Sequence, residues 1–411
     1  MSCSGLERVG SDTECVVQPH PSGGDSAPAI LDAFRMCGQD GKIAFLNETY
    51  HVNSVMTTTG LKNCEVEING TLLWGTDINY WLNSSLPMGY QNQSTAWQFG
   101  GTNVHLHGHG YGTLNGNGQV WYDFNKGQSN YPRRPHQITF TGLYDSVIEN
   151  MRFVQSQMWT MTVIHASNVL LQNIYVSSTS NDSASTDNTD GADTIYANNI
   201  TFRNWDVTNG DDCISQKANS TNILMEDITC HGGTGIAIGS IGQYNGRFET
   251  IQNVTARRVH AIRTQYIAYI KTWTGVATGY PPNGGGGGLG FIQNLTFSEL
   301  EAVNTSIPFG ITQCTSYNGA TPDCDTSKFN IRDVKFVHAN GTLSAAANET
   351  VAQMQCSAAA PCPGIEVKDV AVTELVGGQK AYQYQCDSVE DPIGFNCTGP
   401  VPCDNHAFGG C

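Results

Sequence analysis

Through the middle of the chain apolar residues recur at alternate positions in short bursts, and each burst opens on an asparagine followed by an aliphatic side chain. The pattern reads Asn168-Val169 with Leu171 and Asn173-Ile174, then Asn199-Ile200 with Phe202 and Asn204. It returns at Asn222-Ile223 with Met225 and Asp227-Ile228, and at Asn253-Val254 with Ala256 and Arg258-Val259. Weaker copies follow at Asn294-Leu295 with Phe297, and at Ile365, Val367 and Val370. Alternation with period two marks a strand with one buried face. The first aliphatic positions are 169, 200, 223, 254 and 295, so successive copies lie 23 to 41 residues apart. One strand signature per repeat of that length predicts a solenoid. The leucine-rich repeat consensus is missing, and a sandwich would not bring the same strand motif back. A parallel β-helix fits best, with insertions between copies forming loops.

Three regions stand outside the repeat. Residues 1–40 contain Ile30-Leu31-Asp32-Ala33-Phe34-Arg35-Met36, a short helix suited to capping the open end of a solenoid. Five glycines at 284–288 follow Pro281-Pro282 and predict a mobile loop. The Cys- and Pro-rich tail, 386–411, is expected to wrap the far end. No interdomain linker is evident, so 1–411 is read as one all-β catalytic domain.

Composition narrows the setting. Twenty basic against 36 acidic residues give a net charge of −16. Such a surface repels nucleic acid and anionic lipid, and an acidic sugar would need local basic residues to overcome it. Fourteen cysteines are too many for a reducing compartment and fit up to seven disulfides. Cys314–Cys324, Cys356–Cys362 and Cys403–Cys411 are the natural local pairs. Thirteen Asn-x-Ser/Thr acceptor sequences agree with an exported chain. The chain opens on Met1-Ser2-Cys3-Ser4-Gly5 without an apolar run, so an export segment is expected to have been removed. No stretch approaches the ~20 apolar residues of a membrane span. A soluble, secreted monomer is expected.

The densest chemistry lies between 188 and 271: Asn188-Thr189-Asp190-Gly191, Asn209-Gly210-Asp211-Asp212-Cys213, Gly233-Thr234-Gly235 and Tyr269-Ile270-Lys271. About one repeat separates Asp190 from Asp211 and Asp212, so all three can stack along a solenoid axis. Clustered carboxylates repel, and at least one pKa must rise. A glycosidase needs this division, with one protonated acid for the leaving oxygen and one ionised base for water. The bland alternative is that Asp-Gly and Gly-Asp-Asp are turns. Neighbouring strand residues point to opposite faces, so aiming both aspartates at one cleft requires a bend, for which Gly210 has the freedom. Calcium ligation, as in pectate lyases, is the other functional reading of clustered aspartates.

In this order the four segments resemble the polygalacturonase family, number 28 among glycoside hydrolases, whose motifs are N-T-D, D-D, G-H-G and R-I-K. N-T-D-G and G-D-D-C match outright. The stretch from Asn209 to Asn222, Gly239-Ser240-Ile241-Gly242-Gln243-Tyr244 and Lys271-Thr272-Trp273-Thr274-Gly275 resemble the exo-acting fungal branch. The likeness covers roughly residues 100–340. It implies a right-handed β-helix and an inverting mechanism without metal or cofactor. Asp211 would be the general acid, while Asp190 and Asp212 would hold and deprotonate water. Cys213 would pair with Cys230.

Two departures bear on the substrate. Thr234 stands where the family has histidine, with His231 three residues upstream as a candidate substitute or a solvent-exposed turn residue. Tyr269 stands where the family has an arginine that grips a uronate bidentately, leaving Lys271 as a point charge. Asn188, Tyr269 and Trp273 complete the candidate substrate-binding set, the aromatic pair as stacking faces. Loops at Leu114–Pro135, with Trp121, Tyr122, Arg133 and Arg134, and at Gly275–Gly290 could close one end of the groove. The two arginines could there meet a terminal uronate. The resulting expectation is an exo-acting hydrolase of α-galacturonide bonds in an acidic pectic polysaccharide. Rhamnogalacturonan or xylogalacturonan is the alternative substrate, because a neutral sugar suits Tyr269 better than it suits arginine. A non-catalytic pectin-binding protein and a calcium-dependent lyase are the rivals from other classes.

Overall fold

The computed structural model describes residues 13–317, 323–347, 349–374 and 376–402. The chain divides into two compact units. The first runs through Asp193 and includes Ala197–Gly210. The second comprises Thr194–Tyr196 and the chain from Asp211 onward. Each is a right-handed parallel β-helix, the hand that parallel crossovers almost always take.

In the first unit Gln39–Phe45, Met56–Ile68, Trp97–His107, Ile138–Glu149, Ser167–Ser177 and Asn198–Thr208 pair in succession, all parallel. Alternation in sequence becomes columns of buried side chains, with Val169 facing Ile200, Leu171 facing Phe202 and Ile174 facing Trp205. The predicted cap is a helix over Ala27–Cys37, with Pro28 in its first turn. Its Phe34 meets Trp97 and Phe99 edge-on at 6.0 Å each, and Cys37 is bonded to Cys15.

The second unit has two such ladders. One stacks Ser220–His231, Phe248–Ile262, Leu289–Thr305, Asn330–Leu343 and Ile365–Glu374. Its core columns are Ile223-Val254-Leu295-Val334-Ile365 and Met225-Ala256-Phe297-Phe336-Val367. The other stacks Asp212–Gln216, Gly235–Ile241, Ala268–Trp273, Phe309–Thr315 and Thr350–Gln355.

The recurring asparagine has a backbone cause. Asn168, Asn173, Asn199, Asn204, Asn222, Asn253 and Asn294 all sit in the left-handed region, at φ 54 to 57°, where asparagine is among the few side chains tolerated. Their amides then bond from coil to coil: Asn199 donates to Asn168 (2.9 Å), Asn204 to Asn173 (2.8 Å) and Asn294 to Asn253 (2.8 Å).

Two expectations change. The glycine run is held in place. Gly286, Gly287 and Gly288 donate to Gln243 O, Thr274 O and Gly242 O, and a Cβ on Gly285 would lie 2.3 Å from Gln243 O. Glycine serves close backbone approach there. Five disulfides form among the described residues, including Cys314–Cys324 and Cys356–Cys362. Cys64 is a buried free thiol that burial pushes up to about 12, so seven bridges do not form. The anticipated Cys403–Cys411 pair and the tail beyond 402 fall outside the described residues.

Asn173 accepts from Asn204 and donates to Asn150 at 3.0 Å. Asn173→Ala is expected to cost about 1–2 kcal/mol, through both lost bonds and a disfavoured backbone angle. Asn173→Gly, which keeps the angle, should cost less. Thermal melts of the two variants measure the difference, and equal losses would show that the angle contributes nothing.

Candidate active site

Four consecutive rungs of the second unit, Asp212–Gln216, Gly235–Ile241, Ala268–Trp273 and Phe309–Thr315, are buried on both faces except at Lys271. A two-faced burial leaves polar side chains on these strands no water to bond, so each must find a partner. Asp212 finds two. Only 1% exposed, it receives Lys271 Nζ on both carboxylate oxygens, at 2.9 and 2.8 Å. Lys217 Nζ lies 3.5 Å from its Oδ2. Lys217 is 5% exposed and also donates to Gly239 O at 3.1 Å, beside Ser215 Oγ at 2.8 Å. Gly239 faces Lys271 across the ladder, and a Cβ there would lie 2.1 Å from Lys271 O.

The register between the first two rungs slips after Asp212, which faces Gly235, while Ile214 faces Ile236. The extra residue is Cys213, bonded to Cys230. The bend expected at this point therefore falls at Cys213. Gly210 has a steric task instead, since a Cβ would lie 2.1 Å from Thr186 Oγ1. Asp211 is half-buried; its Oδ1 accepts from Asp212 N (2.8 Å) and its carbonyl from Thr234 N (2.8 Å).

Electrostatics separate the two neighbours. Burial, followed by the charge of Asp212, raises the pKa of Asp211. Burial pushes Asp212 the same way, but Lys271 and Lys217 outweigh it and the net shift is downward. Burial would lower Lys271, yet Asp212 beside it holds the ammonium charged, with a net upward shift. The two neighbours are thereby pushed apart, Asp211 upward and Asp212 downward, the kind of division that acid–base catalysis uses.

Asp190, in the first unit, is 2% exposed, and its carbonyl accepts from Thr160 N at 2.8 Å. The preceding Thr189 is tied to the end of that unit: Asn209 Nδ2 donates to Thr189 O (3.0 Å) and Gly210 N to Thr189 Oγ1 (3.1 Å). Asn188 takes a left-handed φ of 56°. Thr234 is 9% exposed, and His231 ends its strand half-buried, beside the disulfide-bonded Cys230.

The aromatic expectations need correcting. Tyr269 is 1% exposed and stacks on Tyr266 (4.4 Å, 9°), over Gly310, where a Cβ would strike both rings. Trp273 is also buried, its Nε1 donating to Ser240 Oγ at 3.2 Å. Neither offers a face to a sugar, because the rungs need their bulk to fill the interior. Lys271 is engaged by Asp212 and is no free point charge. In the loop from Leu114 to Pro135, Trp121 and Tyr122 are fully buried. Arg133 is consumed by the carbonyls of Leu82, Asn83 and Ser85, and Arg134 by those of Gln157, Ser129 and Asp187. These two arginines cap backbone and do not face a uronate.

Two residues escaped the sequence reading. Lys217 could have been flagged as a lone charge closing the run Cys213-Ile214-Ser215-Gln216. Tyr317 had no signal. It lies edge-on to Trp273 (4.8 Å), 42% exposed, and feels the charges of Lys271, Lys217 and both aspartates. It is the open aromatic of the site.

The sequence profile of the glycosyl hydrolases of family 28 matches residues 48–397. An α-L-rhamnosidase of Aspergillus niger is 50% identical over 97% of this chain and 93% of its own. A putative galacturan 1,4-α-galacturonidase A of the same species is 36% identical, covering 92% of each. The crystal structure of an endo-xylogalacturonan hydrolase from Aspergillus tubingensis superposes with a TM-score of 0.81 at 25% identity, covering 94% of this chain and 99% of that one.

Lys271→Met should destabilise the protein by on the order of 3 kcal/mol at pH 7, the cost of stripping a buried carboxylate of its main partner. Because the folded pKa of Asp212 is depressed, its stabilising contribution exists above the unfolded carboxylate pKa and disappears as pH falls through the folded one. The deficit should therefore shrink towards acid. Urea unfolding at pH 7 and at about pH 2 measures it, and a deficit independent of pH would contradict the pairing.

Proposed function

Because the chain belongs to the glycosyl hydrolases of family 28, we propose that it is a secreted, inverting exo-hydrolase of pectic chains and works as one catalytic domain. Asp211 donates its proton to the glycosidic oxygen as that bond breaks. Asp212 and Asp190 hold the attacking water and take its proton, and the sugar leaves with its anomeric configuration inverted. The observation that carries this reading is the clamp of Lys271 and Lys217 on Asp212, which keeps a base ionised next to a carboxyl whose pKa is raised. Asp190 is included because it stands in the Asn188-Thr189-Asp190-Gly191 segment of the family pattern. Five disulfides support an extracellular working place.

The favoured terminal sugar is α-L-rhamnosyl, a neutral residue. Tyr269 is buried where the family arginine would grip a uronate, and both site lysines are committed to Asp212. The 50% identity to an α-L-rhamnosidase points the same way. Tyr317 then supplies the apolar face against which a deoxy sugar packs. A terminal galacturonosyl residue is the second reading, supported by the galacturonidase relative.

Rhamnosyl-ended rhamnogalacturonan oligosaccharides and trigalacturonate, each incubated with chelator present, separate these readings. Rhamnose released first as the β anomer, by NMR, is the expected product. Release of galacturonate alone transfers the assignment to the second reading. An unsaturated product, or none from either substrate, defeats both.

Asp211→Asn should lower turnover by at least about 10³-fold with the melting temperature unchanged, given what positioned acid catalysis contributes. Lys217→Gln should move the pH–rate bell to higher pH. Removing that positive charge raises both aspartates, so the base ionises later and the acid keeps its proton longer. A bell that stays in place would remove Lys217 from the site's electrostatics.

A further inference from the structure

Around the glycine-locked loop of the second unit runs a strip of aromatic rings, of which Tyr280 and Phe248 are exposed and Tyr196, Tyr244 and Phe291 half-buried. Tyr280 is 69% exposed and meets Tyr244 edge-on at 5.7 Å. Arg247 lies over the Tyr244 ring at 4.9 Å and over that of Tyr196 at 5.7 Å, and donates to the Tyr196 hydroxyl. Next along the chain, Phe248 is 62% exposed, faces Leu289 across the ladder and meets Phe291 at 6.1 Å. Arg332 closes the strip, its guanidinium 5.9 Å above Phe291. None of these residues bonds to Asp211, Asp212, Lys217 or Lys271 in the contacts described above.

From this we propose that the strip is a second saccharide-binding site, taking the galacturonate-containing backbone of an acidic pectic chain. The ligand class rests on the functional reading above, whereas the location rests on the strip alone. Pyranose rings present flat C–H faces that pack on aromatic rings, and uronate carboxylates pair with guanidinium. Two arginines among these rings stand out on a chain of net charge −16. Arg247 lies 3.7 Å from the buried Glu249 and donates to Tyr196. Arg332 is 4.0 Å from Asp333 and gives two N–H groups to Gln293 Oε1, of the five a guanidinium carries. The platform is rigid before any ligand arrives, because Gln243 Nε2 holds Pro282 O and Gly284 O at 3.0 and 2.9 Å, and a preordered surface binds with less entropic loss. A second copy of this chain is the less favoured occupant, since it would bring −16 against −16.

The test uses the Asp211→Asn protein, which leaves the polymer intact, and measures its Kd for de-esterified polygalacturonate by affinity electrophoresis. Adding Phe248→Ser with Tyr280→Ser should weaken binding about tenfold, and Arg332→Gln alone about threefold, with the loss shrinking at high salt. Should the double aromatic variant fail to fold, Arg332→Gln alone decides. A Kd within twofold of the parent overturns the proposal. So does a parent that sediments as a dimer and becomes a monomer when the aromatics are removed. Failure of the functional reading registers elsewhere, as no sugar released from any pectic oligosaccharide by the unsubstituted chain.

Discussion

A carboxylate buried almost completely, with two lysines on it, sets the terms for everything around it. An isolated ionised carboxyl could not remain charged at the depth of Asp212, where burial alone drives it towards protonation. Lys271 and Lys217 reverse that, and in doing so each lysine loses its own freedom. Lys271 must come from the rung that faces Gly239, and Lys217 must turn back over Gly239 O. The chain meets both needs by having no side chain at residue 239. Asp211 then feels a fixed negative charge next door and a dehydrated setting, both of which raise its pKa. One arrangement pushes the two neighbouring carboxyls in opposite directions.

That arrangement also bears on what can bind. A lysine already shared with a buried carboxylate has little left for a ligand's charge. The aromatic rings that sequence order places beside it, Tyr269 and Trp273, are spent on filling the solenoid. Among the described residues, the aromatic ring open towards solvent near the clamp is Tyr317, 42% exposed and braced by Trp273. The site presents more apolar surface and less free positive charge than its list of residue types suggests.

Much of the fold was legible because a β-helix writes its geometry into periodicity. The Asn-aliphatic bursts located the ladder strands, and the helix expected at 30–36 extends only a few residues further. Insertions were harder, since nothing periodic constrains them. Five glycines read as slack turned out to be a close backbone contact, made against Gly242, Gln243 and Thr274. In the site, the Cys213–Cys230 bridge that the resemblance implied is formed. Side-chain direction was not legible. Arg133, Arg134, Tyr269 and Trp273 have binding chemistry, yet whether a ring or a guanidinium faces backbone or solvent depends on coils distant in sequence. Lys217 went unnoticed for the same reason, its partner Gly239 O being 22 residues on.

The asparagine columns also limit how the surface can be decorated. Asn253 and Asn294 each begin an Asn-x-Thr acceptor sequence, and their amides are bonded on consecutive coils. Neighbouring strands stand only ~4.8 Å apart, far less than the width of a branched oligosaccharide. A glycan on either of these turns would crowd out one on the other, so the column has room to be shielded at one of the two positions at a time.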